Sequence, residues 1–155
     1  MERANEKYGW VVMLALGILW LVVGLSQAFT PDALMEDDAL HIIGMSLSEL
    51  EALSPEAVLF ARWLMGALGM LKISWSLFVL AITVTGFRKG EKWAWYTLWL
   101  VPVLLVGQGI YNSVFLGDFN EMLPWIPITT ITLFGLLLPF RKFFPRKPRL
   151  DQSDI

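Results

Sequence analysis

Residues 8–29 read YGWVVMLALGILWLVVGLSQAF, a run without one charged side chain. An α-helix needs about 20 such residues to cross roughly 30 Å of hydrocarbon. A helix buried in a soluble core is usually shorter and carries a polar face, and this run has none. Working outward, three more runs of the same kind follow: Val58–Gly86, Trp93–Leu116 and Met122–Phe140. Apolar residues make up 56 % of the 155-residue chain, and most of its charges lie between or beyond these runs. The fold class expected is therefore all-α: a polytopic membrane protein, a single domain of four transmembrane helices. Ser26-Gln27-Ala28 resembles a signal-peptidase site, but the apolar stretch before it is longer than a usual signal core and includes Trp20. Span one is read as a retained helix.

Charge sets the expected topology. Arg3 and Lys7 precede span one, Arg88, Lys89 and Lys92 fill the loop between spans two and three, and Arg141, Lys142, Arg146, Lys147 and Arg149 follow span four. Residues 30–57 carry no Lys or Arg and seven acids, and the last loop carries Asp118 and Glu121. Basic residues in short loops mark the cytoplasmic side. The reading is a multi-pass protein of a cell membrane, with both termini cytoplasmic and residues 30–57 outside. Tyr8, Trp10, Trp93, Trp95 and Tyr96 then fall near the inner interface, and Trp63 and Trp125 near the outer one.

The outer loop is patterned. Thr30-Pro31-Asp32 has the form of a helix start, Ser46 and Glu49 that of a capping box, and Ser54-Pro55-Glu56 repeats the start signal ahead of span two. Two short helices are expected there. Asp32, Glu36, Asp37 and Asp38 lack the spacing of a calcium-binding loop, so they read as a solvated acidic face. In span three, Pro102 removes a backbone donor and should kink the helix. Pro124 and Pro127 are tolerable at the start of span four, and Thr129, Thr130 and Thr132 can bond their own helix. Gly17, Gly24 and Ala28 share a face of span one, as Gly66 and Gly69 do in span two, which suits close packing in lipid.

Lys72 is the sharpest feature. A charged side chain near the middle of a span costs at least about 2.5–3.5 kcal/mol on insertion scales. At 100° per residue it shares an arc with Arg62, Gly66, Gly69, Ser76 and Thr83, a stripe expected to face the bundle interior. No Asp or Glu lies inside a span, so the expected partners are neutral: Gln108, Tyr111 and Asn112 on one side of span three, a ligand, or a partner subunit. Lys72, Ser76, Gln108, Tyr111 and Asn112 are the candidate ligand-binding residues. A purely structural lysine bonded to Gln108 or Asn112 is the competing account.

There is no cysteine, which excludes disulfide and thiol chemistry carried by this chain alone, and His41 is the only histidine. No nucleophile–base constellation, metal-ligand cluster or cofactor motif is present, so an enzyme ranks last. The basic tail, with Phe143 and Phe144, suits anionic headgroups better than nucleic acid because it is short and starts at the membrane.

Ala61-Arg62 followed by Gly66 and Gly69, and the basic turn Phe87-Arg88-Lys89-Gly90-Glu91-Lys92 before Trp93-Ala94-Trp95, complete a pattern with the glycine-bearing first span and polar loop. Together they resemble the small DoxX-like four-helix membrane proteins of bacteria and archaea. The resemblance implies a four-helix bundle in a prokaryotic membrane and, for some members, association with quinone-reducing complexes. It assigns no catalytic residue, and it places no role on Lys72. The function expected is an accessory or ligand-binding subunit, of a larger complex or a homo-oligomer, holding a lipid or quinone beside Lys72, with Trp20, Trp75 and Trp99 near. The alternative is an oligomeric transporter or channel whose path the Lys72 face lines.

Overall fold

A computed structural model describes residues 4–145, with side chains from residue 8 onward. Among the described residues there are helices and no strands. Four segments are long and apolar enough to cross a membrane: Tyr8–Phe29, Pro55–Phe87, Lys92–Leu116 and Phe119–Phe143. Large apolar side chains such as Val22, Phe78, Val114 and Phe115 stand exposed around the outside. A soluble monomer rarely shows so continuous an apolar surface, whereas a bilayer covers it. The chain is built as a multi-pass membrane protein.

Helix α1 runs Ala4–Phe29. It stops because Pro31 follows, and the residue before a proline is pushed out of helical geometry. Thr30 holds the N-cap position of α2 (Pro31–Ile43), but its hydroxyl donates back to the Ser26 carbonyl at 3.0 Å and caps nothing. Gly44 ends α2 in the left-handed conformation, φ 68°, which glycine adopts without strain. Helix α3 (Leu47–Leu53) opens on the expected capping box: the Glu49 N–H donates to Ser46 Oγ at 3.2 Å, and the Ser46 N–H donates to Glu49 Oε2 at 2.8 Å. The Ser54 hydroxyl accepts from the Ala57 N–H, so α4 (Pro55–Ile82) begins at the Ser54-Pro55-Glu56 signal. It continues through a π-helical turn, Thr83–Phe87.

The third span is two helices, α5 (Lys92–Leu98) and α6 (Leu100–Leu116). The break at Trp99 lies one turn before Pro102, whose ring displaces the carbonyl four residues back; this is the expected kink. After a 3-10 turn at Phe119–Met122 come α7 (Trp125–Leu137) and α8 (Phe140–Phe143). Thr130 and Thr132 each donate to the carbonyl four residues before, as expected of hydroxyls in an apolar helix.

Helix α1 packs along its length on α4 and on α7, and α6 packs on α7. The backbone of α4 reaches α1 most closely where the small residues meet. A Cβ added at Gly69 would stand 2.5 Å from the Ala28 nitrogen, and one at Gly24 3.0 Å from the Ile73 nitrogen. Gly17 lies against Val79 and Leu80, whereas Gly66 has only the Ala28 carbonyl oxygen, at 3.8 Å. These contacts set the register. Ala28 ends up level with Gly69, so α4 runs on from Pro55 to Leu68 past the end of α1, about 20 Å of helix. Helices α2 and α3 fold onto that overhang, where Met35, Leu47 and Val58 form a small buried cluster.

The main core lies toward the opposite end. Met13, Leu16, Val79, Phe87, Leu98, Leu136 and Phe143 are buried together there, with the 88–91 turn closing α4 onto α5. Phe143 is 1 % exposed and packs on Phe87, their rings 4.9 Å apart. The start of the tail is therefore part of the fold, and Phe143 is unavailable to headgroups, contrary to expectation. Away from that turn, α4 and α6 stand apart, each held by a different neighbour. The four spans close at one end and leave a wedge at the other.

Candidate functional site

The wedge is a cleft of about 510 Å³. Leu68, Leu71, Lys72 and Trp75 of α4 form one wall, and Val101, Leu104, Leu105 and Gln108 of α6 the other. Its floor is Trp20 and Gln27 of α1 with Trp125 of α7. Leu71 and Leu104 on the facing walls are exposed, so the cleft opens sideways, toward the space that lipid fills.

Lys72 extends into this space. Its ammonium donates to Gln27 Oε1 at 2.6 Å and lies 5.6 Å from the centre of the Trp20 ring. The short distance marks a charge-assisted bond, stronger than one between neutral groups. Gln27 is only 7 % exposed, and its amide N–H₂ reaches the Met65 sulfur at 3.3 Å. Both ends of the amide are thus fixed between α1 and α4.

The candidate residues divide. Lys72 and Gln108 share the cleft, although no direct bond joins them. Gln108 Nε2 donates to Asn112 Oδ1 at 2.8 Å, one turn along its own helix, so half-buried Asn112 orients Gln108 without lining the cleft. Tyr111 is 61 % exposed and stacks on Phe115, pointing away from it. Ser76 is fully buried behind Lys72 and donates to the Lys72 carbonyl at 2.7 Å. That bond satisfies the serine within its own helix. Trp99 does not line the cleft; Trp125 does, and Trp99 sits against the core with its Nε1 buried and unpartnered.

Gln27 was not foreseen as the partner of Lys72. Its only sequence signal is that it adjoins Ala28 on the packing face of span one, a position with no meaning until the register of α1 on α4 is known. The same register sets the level of Lys72 against α1. Gly24 lies against Ile73 and Ala28 against Gly69, so Lys72 is level with Leu25. The apolar run of α1 is centred between Ile18 and Leu19, which puts the lysine backbone about 10 Å along the axis from the middle of that run. A helical side chain leans toward its own N-terminus, and that lean carries the ammonium further toward the α2 and α3 end. Lys72 is central in its own long helix and off-centre in the bundle.

Arg62 is likewise displaced from the interior stripe. It lies on the overhang, bonded through Nε to Asp32 Oδ1 at 2.8 Å and through Nη1 to Glu51 Oε1 at 3.1 Å. One guanidinium thus ties α2 and α3 to α4. The acids of residues 30–57 are in large part structural: besides Asp32 and Glu51, Glu49 closes the capping box and Glu36 accepts from the Leu47 N–H at 2.8 Å, while the one histidine, His41, meets Glu121 Oε1 through Nε2 at 2.7 Å and joins α2 to the last loop. Asp38 differs. Partial burial and the neighbouring Asp37 raise its pKa, opposed by the charges of His41 and Lys72. The carboxylate whose field reaches Lys72 comes from α2.

At the other end, Lys142 donates to the Arg88 carbonyl at 2.9 Å, and Arg141 is exposed. Arg146, Lys147 and Arg149 of the basic tail lie outside the described residues, as does Arg3. Comparisons of the chain with protein-family models, with curated proteins and with solved structures gave no match.

Proposed function

We propose that this protein binds a small amphipathic molecule, of lipid or quinone type, in the cleft between α4 and α6, and serves as an accessory or ligand-binding membrane subunit. One observation carries the reading: two polar donors, Lys72 and Gln108, lie on the walls of a cleft whose other lining, Gln27 apart, is aliphatic and tryptophan side chains, and which opens toward the lipid. Ligand pockets of roughly 300–1,000 Å³ with few convergent polar groups have this composition. Lys72 has three donors and gives one to Gln27; Gln108 Nε2 has two and gives one to Asn112. A carbonyl or anionic oxygen would use what remains.

The loop charges support placing both termini in the cytoplasm and residues 30–57 outside the cell. The likeness to DoxX-like prokaryotic proteins belongs to the same proposal and rests on the residues quoted for it. A transporter or channel path along the Lys72 face has less support. Gly69, Ser76 and Thr83 of that face are buried, and Leu16, Val79 and Leu136 fill the bundle below the cleft.

The test is extraction of the full chain in mild detergent, followed by mass spectrometry of what remains bound. The wild type should retain a lipid or quinone in defined ratio, and Lys72→Met should lose it while staying folded. A wild type that carries no small amphiphile, or a Lys72→Met protein with unchanged content, would refute the reading.

A further inference from the structure

The reading above leaves the chemistry of the ligand head open between a neutral carbonyl and an anion. We propose that the cleft takes a single-chain anionic amphiphile, of the fatty-acid class, from the leaflet on the α2 and α3 side, with its head on Lys72 and its chain pointing toward mid-bilayer. The inference rests on the proposed binding role of the cleft.

Charge is the first argument. Arg62 is met by two carboxylates within 3.1 Å. Among the described residues Lys72 forms no ion pair, and its hydrogen-bonded partner is the neutral amide of Gln27. A half-buried ammonium whose hydrogen-bond partner is neutral, with the Asp38 carboxylate acting on it only at a distance, keeps part of its desolvation penalty. A ligand carboxylate removes that penalty; a quinone carbonyl supplies another neutral acceptor and does not. Gln108, the other polar side chain on the cleft walls, still has one Nε2 N–H beside its Oε1, and that donor can serve a head made only of acceptors.

Polarity and depth are the second argument. Lys72 and Gln27 lie toward the α2 and α3 end, level with Leu25 and beyond. The register carried through α7, with Gly135 against Val12 and Met13 and Gly109 against Trp125, puts Gln108 within about one turn of Lys72. Val101 falls about two turns deeper than Gln108 by the same rise. The cleft is thus polar near one interface and apolar toward the centre, the orientation of a lipid in that leaflet. Its side opening between Leu71 and Leu104 lets a chain enter from the bilayer without crossing water.

The test uses the full chain in nanodiscs of zwitterionic lipid at alkaline pH, where a fatty acid is ionised. Dibrominated stearate and its uncharged methyl ester are titrated separately, and tryptophan quenching that unbrominated oleate reverses is recorded. Trp20, Trp75 and Trp125 line the site; reversal by oleate separates their signal from quenching of the exposed Trp63 and Trp93. The acid should bind at least about tenfold tighter than the ester, the ratio that 1.4 kcal/mol gives. Lys72→Arg should keep that ratio. Lys72→Met, and Lys72→Gln as a polar uncharged check, should bring the two probes within about twofold. Gln108→Leu should weaken acid and ester alike. Equal binding of acid and ester by the wild type would overturn the anionic head while leaving the cleft a binding site. Absence of any oleate-reversible quenching would overturn both.

Discussion

The bond between Lys72 and Gln27 makes a demanding test, because it joins two spans through groups that lie inside the bundle. Gln27→Leu keeps the side chain's bulk and removes the acceptor that the ammonium holds at 2.6 Å. Hydrogen bonds to charged groups contribute about 1.5–3 kcal/mol in water-soluble proteins. Hydrogen bonds between membrane helices average only about 0.6 kcal/mol and reach about 1.7, since the unfolded chain in a membrane finds other partners. A short, charge-assisted bond to a 7 % exposed amide belongs at the upper end of that range, about 1.5 kcal/mol. The measurement is a double-mutant cycle of Gln27→Leu and Lys72→Met by reversible unfolding in mixed micelles. Gln27→Leu should destabilise, because it strands a charge, whereas Lys72→Met strands only an amide and removes the desolvation cost of the ammonium, so its own effect should be smaller or favourable. The double variant should recover about 1.5 kcal/mol relative to the sum. A coupling below about 0.3–0.5 kcal/mol, the level of independent sites, would refute the pairing.

Other consequences follow from the same geometry. Gly69→Val should push α1 from α4 and destabilise by about 1–3 kcal/mol, as overpacking does, while Gly66→Ala, with its nearest neighbour at 3.8 Å, should be nearly neutral; equal melting losses for the two would contradict the register. The raised pKa of Asp38 means that the folded state holds its proton more tightly than the unfolded chain does. Its contribution is therefore favourable at low pH and lost as pH rises through the folded value. Asp38→Asn should melt higher than the wild type near neutrality, with the gain vanishing in acid; a gain that grows toward low pH would reverse the sign. For topology, a reporter after Leu150 should behave as cytoplasmic and one near Met45 as external, and both on one side would refute four crossings.

The sequence by itself determined the number of spans and the local starts and stops. Bilayer thickness imposes a length on any apolar run, so Tyr8–Phe29 reads as a crossing without reference to its neighbours. Caps and breaks are equally local: Ser46 with Glu49 acts across three residues, and Pro102 acts on the turn before it. The candidate site was legible only in part. Lys72 and Gln108 stand out as polar residues in apolar runs, and both line the cleft. Tyr111 and Asn112 share a helical face with Gln108 on a regular wheel, yet Tyr111 faces outward and Asn112 only steadies Gln108. Gln27, Trp125 and the level of Lys72 against α1 were decided by tertiary structure. Close approach at Gly24, Ala28 and Gly69 slides α4 along α1 until Pro55–Leu68 overhangs, and that slide sets both the partner of Lys72 and its level against α1. The cleft has the same origin: α4 is held by α1 and α6 by α7, so the space between them belongs to no single helix and is written in no local stretch of sequence.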